Sequence, residues 1–343
     1  MSSSDVTRDG IEDARPGRAA APGTSTGPGG AGPPGRRKHR AEAQMVPDAT
    51  FTSYYGQPIL NQPTWKAPDI PGYLFLGGLA GAGSVIAAGA QLTGRPALAR
   101  TLKSGCAAAA GLSLAALVHD LGRPARFLNM LRTFKATSPM SVGSWLLSAY
   151  APAAATAALS DLTGIIPGVG ATATAAAAVT GPGLACYTAA LIANTAVPAW
   201  HDGYRYLPFV FGSSAVSAAA GLGLIGAPLA ENKPVIRLAV MAGTAEILTG
   251  KVMETRMGLA GEAYKKGKAK RYGRIADVAT AAGLLTAAVL ARRSRAAAVT
   301  AGAALLIGSA MTRFSVFEAG LESAGDPRYT VVPQRQRLRE RSQ

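Results

Sequence analysis

Charge is nearly missing from long stretches of this chain beyond residue 70, and that excludes an ordinary soluble fold. A soluble protein of 343 residues alternates polar and apolar faces along its helices. Here runs of Ala, Gly, Leu and Val are apolar on every face, which suits lipid as the solvent. Aromatic residues are scarce, at 6%. Cysteine is limited to Cys106 and Cys186, each inside an apolar run and without Cys-x-x-Cys spacing. The chain by itself therefore holds no iron–sulfur cluster and no zinc or other metal site, and both thiols read as small buried side chains. Histidine is equally sparse: His39 lies in a polar leader, and His119 and His201 lie at the ends of apolar runs. Haem b in a membrane subunit needs paired axial histidines within facing spans, so no haem is expected. The N-terminus carries acids between Asp5 and Asp13 where a secretory signal would have an apolar core, so no signal peptide is expected.

What is present falls into two regimes. Residues 1–70 are polar and rich in Pro, Gly and Arg, and read as a disordered tail with a basic cluster at Arg36, Arg37, Lys38 and Arg40. Residues 71–317 read as an all-α membrane domain, a bundle of about eight transmembrane helices. Residues 318–343 read as a basic C-terminal tail. The expected spans are Pro71–Leu92, Leu102–Val118, Val142–Leu162, Ala173–Val197, Leu207–Leu229, Val235–Val252, Ala276–Leu290 and Ala296–Met311. Small residues at Gly77, Gly78, Gly81 and Gly83 let the first span approach its neighbours closely. Pro182 predicts a kink in the fourth.

The net charge of +16 would suggest nucleic acid as the partner of a soluble protein. In a membrane protein it reads as topology. With eight spans, 27 of the 35 Lys and Arg fall on the side of both tails. The short loops agree, with Arg123, Arg126, Arg132 and Lys135 in one and Lys265, Lys266, Lys268, Lys270, Arg271 and Arg274 in another. Both termini are therefore expected in the cytoplasm of a multi-pass cell-membrane protein.

Chemistry-bearing residues gather where spans end. The second span closes in His119-Asp120-Leu121-Gly122-Arg123-Pro124, with Gly122 and Pro124 as helix stops. An Asp at a helix C-terminus opposes the dipole, so Arg123 or Arg126 is expected to compensate it. The bland reading is an interfacial ion pair. The sharper one is a proton-exchanging pair, His119 and Asp120, suited to a quinone head group at the membrane edge. The next loop, Phe127 to Met140, mixes apolar and basic residues and reads as an interfacial segment or a partner-docking surface, with Arg126, Arg132 and Lys135 as docking cations. The fourth span ends with Asn194, Trp200 and His201; Trp200 reads as an interface anchor. Glu246 is an acid within an apolar stretch, five residues before Lys251, and reads either as paired with Lys251 or as a proton relay.

The segment from His119 to Leu147, with HDLGRPARFLNMLRTFKATSPMSVGSW at its heart, resembles the hallmark of the polysulfide reductase membrane-subunit (NrfD) family. Tyr73-Leu-Phe-Leu-Gly-Gly-Leu-Ala-Gly resembles that family's first span, and Tyr187 to His201 its fourth. The resemblance covers about residues 50–325. It implies a haem-free, eight-helix subunit that passes electrons between a membrane quinone, menaquinone foremost, and an iron–sulfur ferredoxin-like subunit connected to a molybdopterin catalytic subunit. It places His119, Asp120 and Arg123 at the quinone pocket, with Asn194 and His201 as further candidates. The Asn and His that some members carry in the first span are missing here, which implies altered quinone contacts. The competing functions are a proton-coupled transporter, which would show inverted repeats, and a purely structural anchor.

Overall fold

Proline opens most of the helices. It stands in the first turn of six of them, where its missing N–H costs nothing and its fixed φ favours the helix. The computed structural model describes residues 58–121, 123 and 125–341, together with 6–7 and 10–11. The chain divides into two units, 1–50 and 51–343. In the first, Val6–Thr7 and Gly10–Ile11 form a short antiparallel pair; the other residues up to 57, the basic cluster included, lie outside the described residues, whereas residues 58–70 of the expected disordered tail are ordered, with Trp65 stacked on Trp200 and a helix opening at Asp69.

The second unit is helical: α1 (Asp69–Leu92), α2 (Pro96–Asp120), α3 (Ala125–Met130), α4 (Pro139–Thr163), α5 (Pro167–Ala193), α6 (Pro198–His201), α7 (Leu207–Gly226), α8 (Lys233–Arg256), α9 (Gly267–Val289), α10 (Arg295–Gly325) and α11 (Arg328–Arg341). Short 3-10 turns at Leu229–Glu231 and Gly258–Lys265 flank α8. Six helices, α1, α2, α4, α5, α7 and α10, are long and apolar enough to cross a membrane. The protein is an all-α, multi-pass membrane protein. Helices α8 and α9 match the sixth and seventh expected spans in position and have 24 and 23 residues, but they carry too much charge to qualify by composition.

Several helices overrun their apolar runs because their charges find partners. Helix α2 starts at Pro96, ahead of the expected Leu102. Its Arg100 and Lys103 both bond Asp161 of α4, at 3.0 and 2.9 Å. Helix α10 runs through Met311 to Gly325, carrying Arg313 fully buried. Helix α5 passes through Pro182 and ends at Ala193, short of the expected Val197. The expected stops Gly122 and Pro124 lie outside the described residues, though α2 ends at Asp120.

The helices pack as two quartets with one pairing scheme. In the first, α1 packs on α2 and α5, α4 on α5, and α2 on α4. In the second, α7 packs on α8 and α10, α9 on α10, and α8 on α9. Helices α1 and α7 join the quartets. Each quartet has a glycine-on-glycine backbone crossing. A Cβ on Gly81 would lie 2.3 Å from the Gly181 carbonyl oxygen, and one on Gly302 would lie 2.4 Å from that of Gly221. Association in lipid depends on such close approach, since lipid tails compete equally for apolar surface. Gly81→Val is therefore expected to force α1 and α5 apart and lower stability by at least about 1–3 kcal/mol. Thermal unfolding in detergent would read this as a lowered midpoint, and an unchanged midpoint would show that the crossing is not tight.

Candidate functional site

The start of α1 and the end of α2 meet at one end of the first quartet. Asp69 occupies the first turn of α1, where an acid complements the helix dipole. His119 occupies the last turn of α2, and its Nδ1 lies 2.8 Å from Asp69 Oδ2. The expected pairing of His119 with Asp120 does not form. Consecutive helical residues do not face each other, so the two side chains diverge. His119 points outward to Asp69 and is exposed, while Asp120 lines a cavity of about 130 Å³.

The expected compensation of Asp120 by an arginine is also absent. Arg126 instead donates from Nη1 to the Leu121 carbonyl at 3.1 Å, satisfying a free carbonyl at the end of α2. Arg123 is exposed. Among the described residues, Asp120 makes no ion pair.

The cavity is walled by aromatic and apolar side chains from α1, α2, α4 and α5, including Trp65, Tyr73, Met140, Tyr187 and Leu191. Asp120, Ser144 and the tyrosines supply its polar groups. Tyr73 and Tyr187 meet edge to face, with centroids 6.5 Å apart. Tyr187 packs so closely over Gly143 that a Cβ there would lie 2.0 Å from the ring. The Tyr187 hydroxyl is buried and has no hydrogen-bond partner. A buried unpaired hydroxyl costs free energy, and this one is an unused hydrogen-bonding group on a residue that lines the cavity.

Asn194 and His201 stand apart from that cavity. Both are exposed; Asn194 caps α5, and His201 Nδ1 lies 3.3 Å from the Ala193 carbonyl oxygen. They flank a second recess of about 500 Å³, lined by residues 60–65 and 195–197 with Trp200. Trp65 borders both recesses and stacks on Trp200 at 5.4 Å. Trp200 is no interface anchor. It is fully buried, and its Nε1 donates to the Val316 carbonyl at 2.7 Å. Nearby, burial pushes the Asp202 carboxyl up from its usual range, against the opposing effect of His201 and Arg337. Arg132 and Lys135 are exposed on the loop between α3 and α4, at the same end of the bundle.

A larger groove, about 620 Å³, lies elsewhere, among α1, α5, α7 and α8. Its lining is apolar apart from Thr93, Arg95 and Cys186, which is too few polar groups to orient a two-carbonyl head group. Cys186 is exposed there, whereas Cys106 is buried as expected of both.

Residues 60–241 match the polysulphide reductase NrfD family. This chain belongs to that family. No curated protein matches it. As an NrfD protein it is a membrane subunit of the polysulfide-reductase-like type. The NrfD match spans α1 to α7 and the first part of α8, so it contains Asp69, His119, Asp120 and the whole cavity. It stops before Glu246.

Sequence reasoning found Asp120 in this NrfD cavity but missed Trp65, Tyr73, Ser144 and Tyr187. Tyr73 and Tyr187 stand within the two segments that carry the family resemblance, so aromatic residues amid Ala and Gly were the available signal. Glu246 does not pair with Lys251. Lys251 bonds Asp277 at 2.7 Å and Glu254 at 3.5 Å, and Glu246 turns inward on α8.

Proposed function

We propose that this NrfD chain is the quinone-reactive subunit of a membrane oxidoreductase complex. Its partners in this reading are an iron–sulfur ferredoxin-like subunit and a molybdopterin catalytic subunit. The observation that carries it is the unpaired Tyr187 hydroxyl beside the Asp120 carboxyl in an aromatic-walled cavity. The lining fits the head group of a quinone such as menaquinone. Flat rings at Trp65, Tyr73 and Tyr187 suit a planar ligand, and a donor and a carboxyl suit its oxygens. A bound quinone supplies two-electron, two-proton carrier chemistry.

The chain's own residues do the rest. Tyr187 Oη donates a hydrogen bond that orients the ligand. Asp120 takes up or gives a proton at its carboxylate. His119, held by Asp69 and exposed, exchanges protons with water at the rim. Arg123, Arg126, Arg132 and Lys135 form a basic rim that attracts an acidic partner face. Asn194 and His201 do not line the cavity and stand, next in sequence to residues of the outer recess, away from the quinone in this reading. Helices α8 and α9 complete eight spans in this reading, with both termini on the cytoplasmic side.

Trp65 borders the cavity, so a bound quinone quenches its fluorescence. Titrating the purified protein with a short-chain menaquinone analogue is expected to give saturable quenching that Trp65→Phe reduces. Tyr187→Phe is expected to weaken binding roughly two- to tenfold through one lost hydrogen bond. Quenching that never saturates would remove the cavity from the function.

A further inference from the structure

The second quartet holds a buried ionisable pair that quinone binding does not use. Glu246 lies within α8 at 4% exposure, and Arg313 lies on α10 at 0%. Thr312 Oγ1 donates to Glu246 Oε1 at 2.8 Å. Arg313 Nη2 donates to the Phe211 carbonyl at 2.8 Å, and its guanidinium sits 3.8 Å over the Phe211 ring. Much remains unpaired. Glu246 Oε2, Arg313 Nε and Nη1, Ser217 Oγ and Thr280 Oγ1 are all buried without a hydrogen-bond partner.

So many orphaned polar atoms are costly within a membrane bundle, and water is the usual remedy. Space for it exists. A cavity of about 40 Å³ touches Glu246, Gly250, Gly273, Thr280 and Thr312. That volume admits about three waters. Glu254, Tyr264 and Asp277 also line it, and Lys251 bridges the two acids. This mouth lies where α8 ends and α9 begins, and Lys251 and Asp277 there are about half exposed.

We propose that Glu246 is a proton-exchange site fed by a water-filled inlet opening at Glu254 and Asp277, with Arg313 as its fixed counter-charge. The groups facing it are Ser214 and Ser217 from α7, Thr280 and Asp277 from α9, Thr312, Arg313 and Ser315 from α10, and Tyr264 from the 3-10 turn. One proton passes from water to the Glu246 carboxylate, giving the neutral acid. Thr312 keeps its hydrogen bond throughout. Uptake leaves the Arg313 charge uncompensated, and release restores the neutral pair. Arg313 also stands against Gly78 of α1, so the exchanged charge is felt in the first quartet. The site does not depend on the quinone reading.

The test is infrared difference spectroscopy of the full-length protein in lipid nanodiscs. Titration with pH is expected to show a buried carboxylic acid band that is lost in Glu246→Gln and shifts promptly on exchange into D2O. Carbodiimide labelling of the wild-type chain, mapped by peptide mass spectrometry, assigns the acid should that variant fail to fold. A Cβ on Gly250 meets nothing within 4 Å, so Gly250→Leu is accommodated and narrows the inlet one helical turn from the acid while leaving the carboxyl itself in place. It is expected to abolish prompt exchange while the band keeps its position. A Glu246 that stays ionised and unlabelled at every pH overturns the proposal. So does exchange as fast in Gly250→Leu as in the wild type.

Discussion

Asp120→Asn is expected to lower quinone reduction about 10²–10⁴-fold in the proposed complex, while the dye-linked activity of its catalytic partner persists. The substitution keeps the size of the side chain and a hydrogen-bonding oxygen, so the cavity retains its shape. It removes only the capacity to hold and release a proton. The fold is expected to tolerate it, because the carboxylate opposes the dipole at the end of α2 and has no ion-pair partner among the described residues. The measurement compares quinone-coupled and dye-coupled turnover in the isolated complex. Equal quinone turnover in variant and wild type would remove Asp120 from proton transfer. A fall in both activities would show instead that the complex had come apart.

Trp200→Ala is expected to be the most damaging single truncation, at about 3–5 kcal/mol. The side chain is fully buried, stacks on Trp65, contacts Phe317 at 6.0 Å and spends its one N–H on the Val316 carbonyl. The opposite helix face leaves no slack, since a Cβ on Gly320 would lie 1.9 Å from the indole. The ring therefore fills a slot cut for it by glycine, and truncation leaves a void and removes the second donor to a helix carbonyl. The expected result is a large fall in the thermal midpoint, together with weaker quinone binding because Trp65 loses its support. Trp200→Phe should recover most of the stability. A midpoint for Trp200→Ala close to the wild type would show that the slot collapses without cost.

The positions of six of the long helices were legible because lipid demands uninterrupted apolar runs, and α8 and α9 were legible from shorter runs between charges. Their ends were not, because charges that look like stops are paired in three dimensions. Arg100 and Lys103 continue α2 by sharing Asp161, and Arg313 continues α10 by burying itself against Phe211. Linear spacing also misled at Glu246 and Lys251, which α8 turns toward different neighbours. The common pairing scheme of the two quartets escaped notice because Ala, Gly and Leu repeat everywhere in such helices and mark no register. Of the site, the acid at the end of α2 was readable from its dipole conflict. Its aromatic enclosure joins Trp65 and Tyr73 to the distant Tyr187, so the only signal in the sequence was the presence of aromatics amid Ala and Gly, with nothing to show that they converge.

A single sheet of indole, that of Trp65, is the whole thickness of the partition between the inner chamber and the vestibule beside Asn194 and His201. Whatever settles in the vestibule bears on the same ring that a guest in the chamber touches. The tilt of that one ring therefore shapes both spaces at once, and the stack on Trp200 is what fixes it.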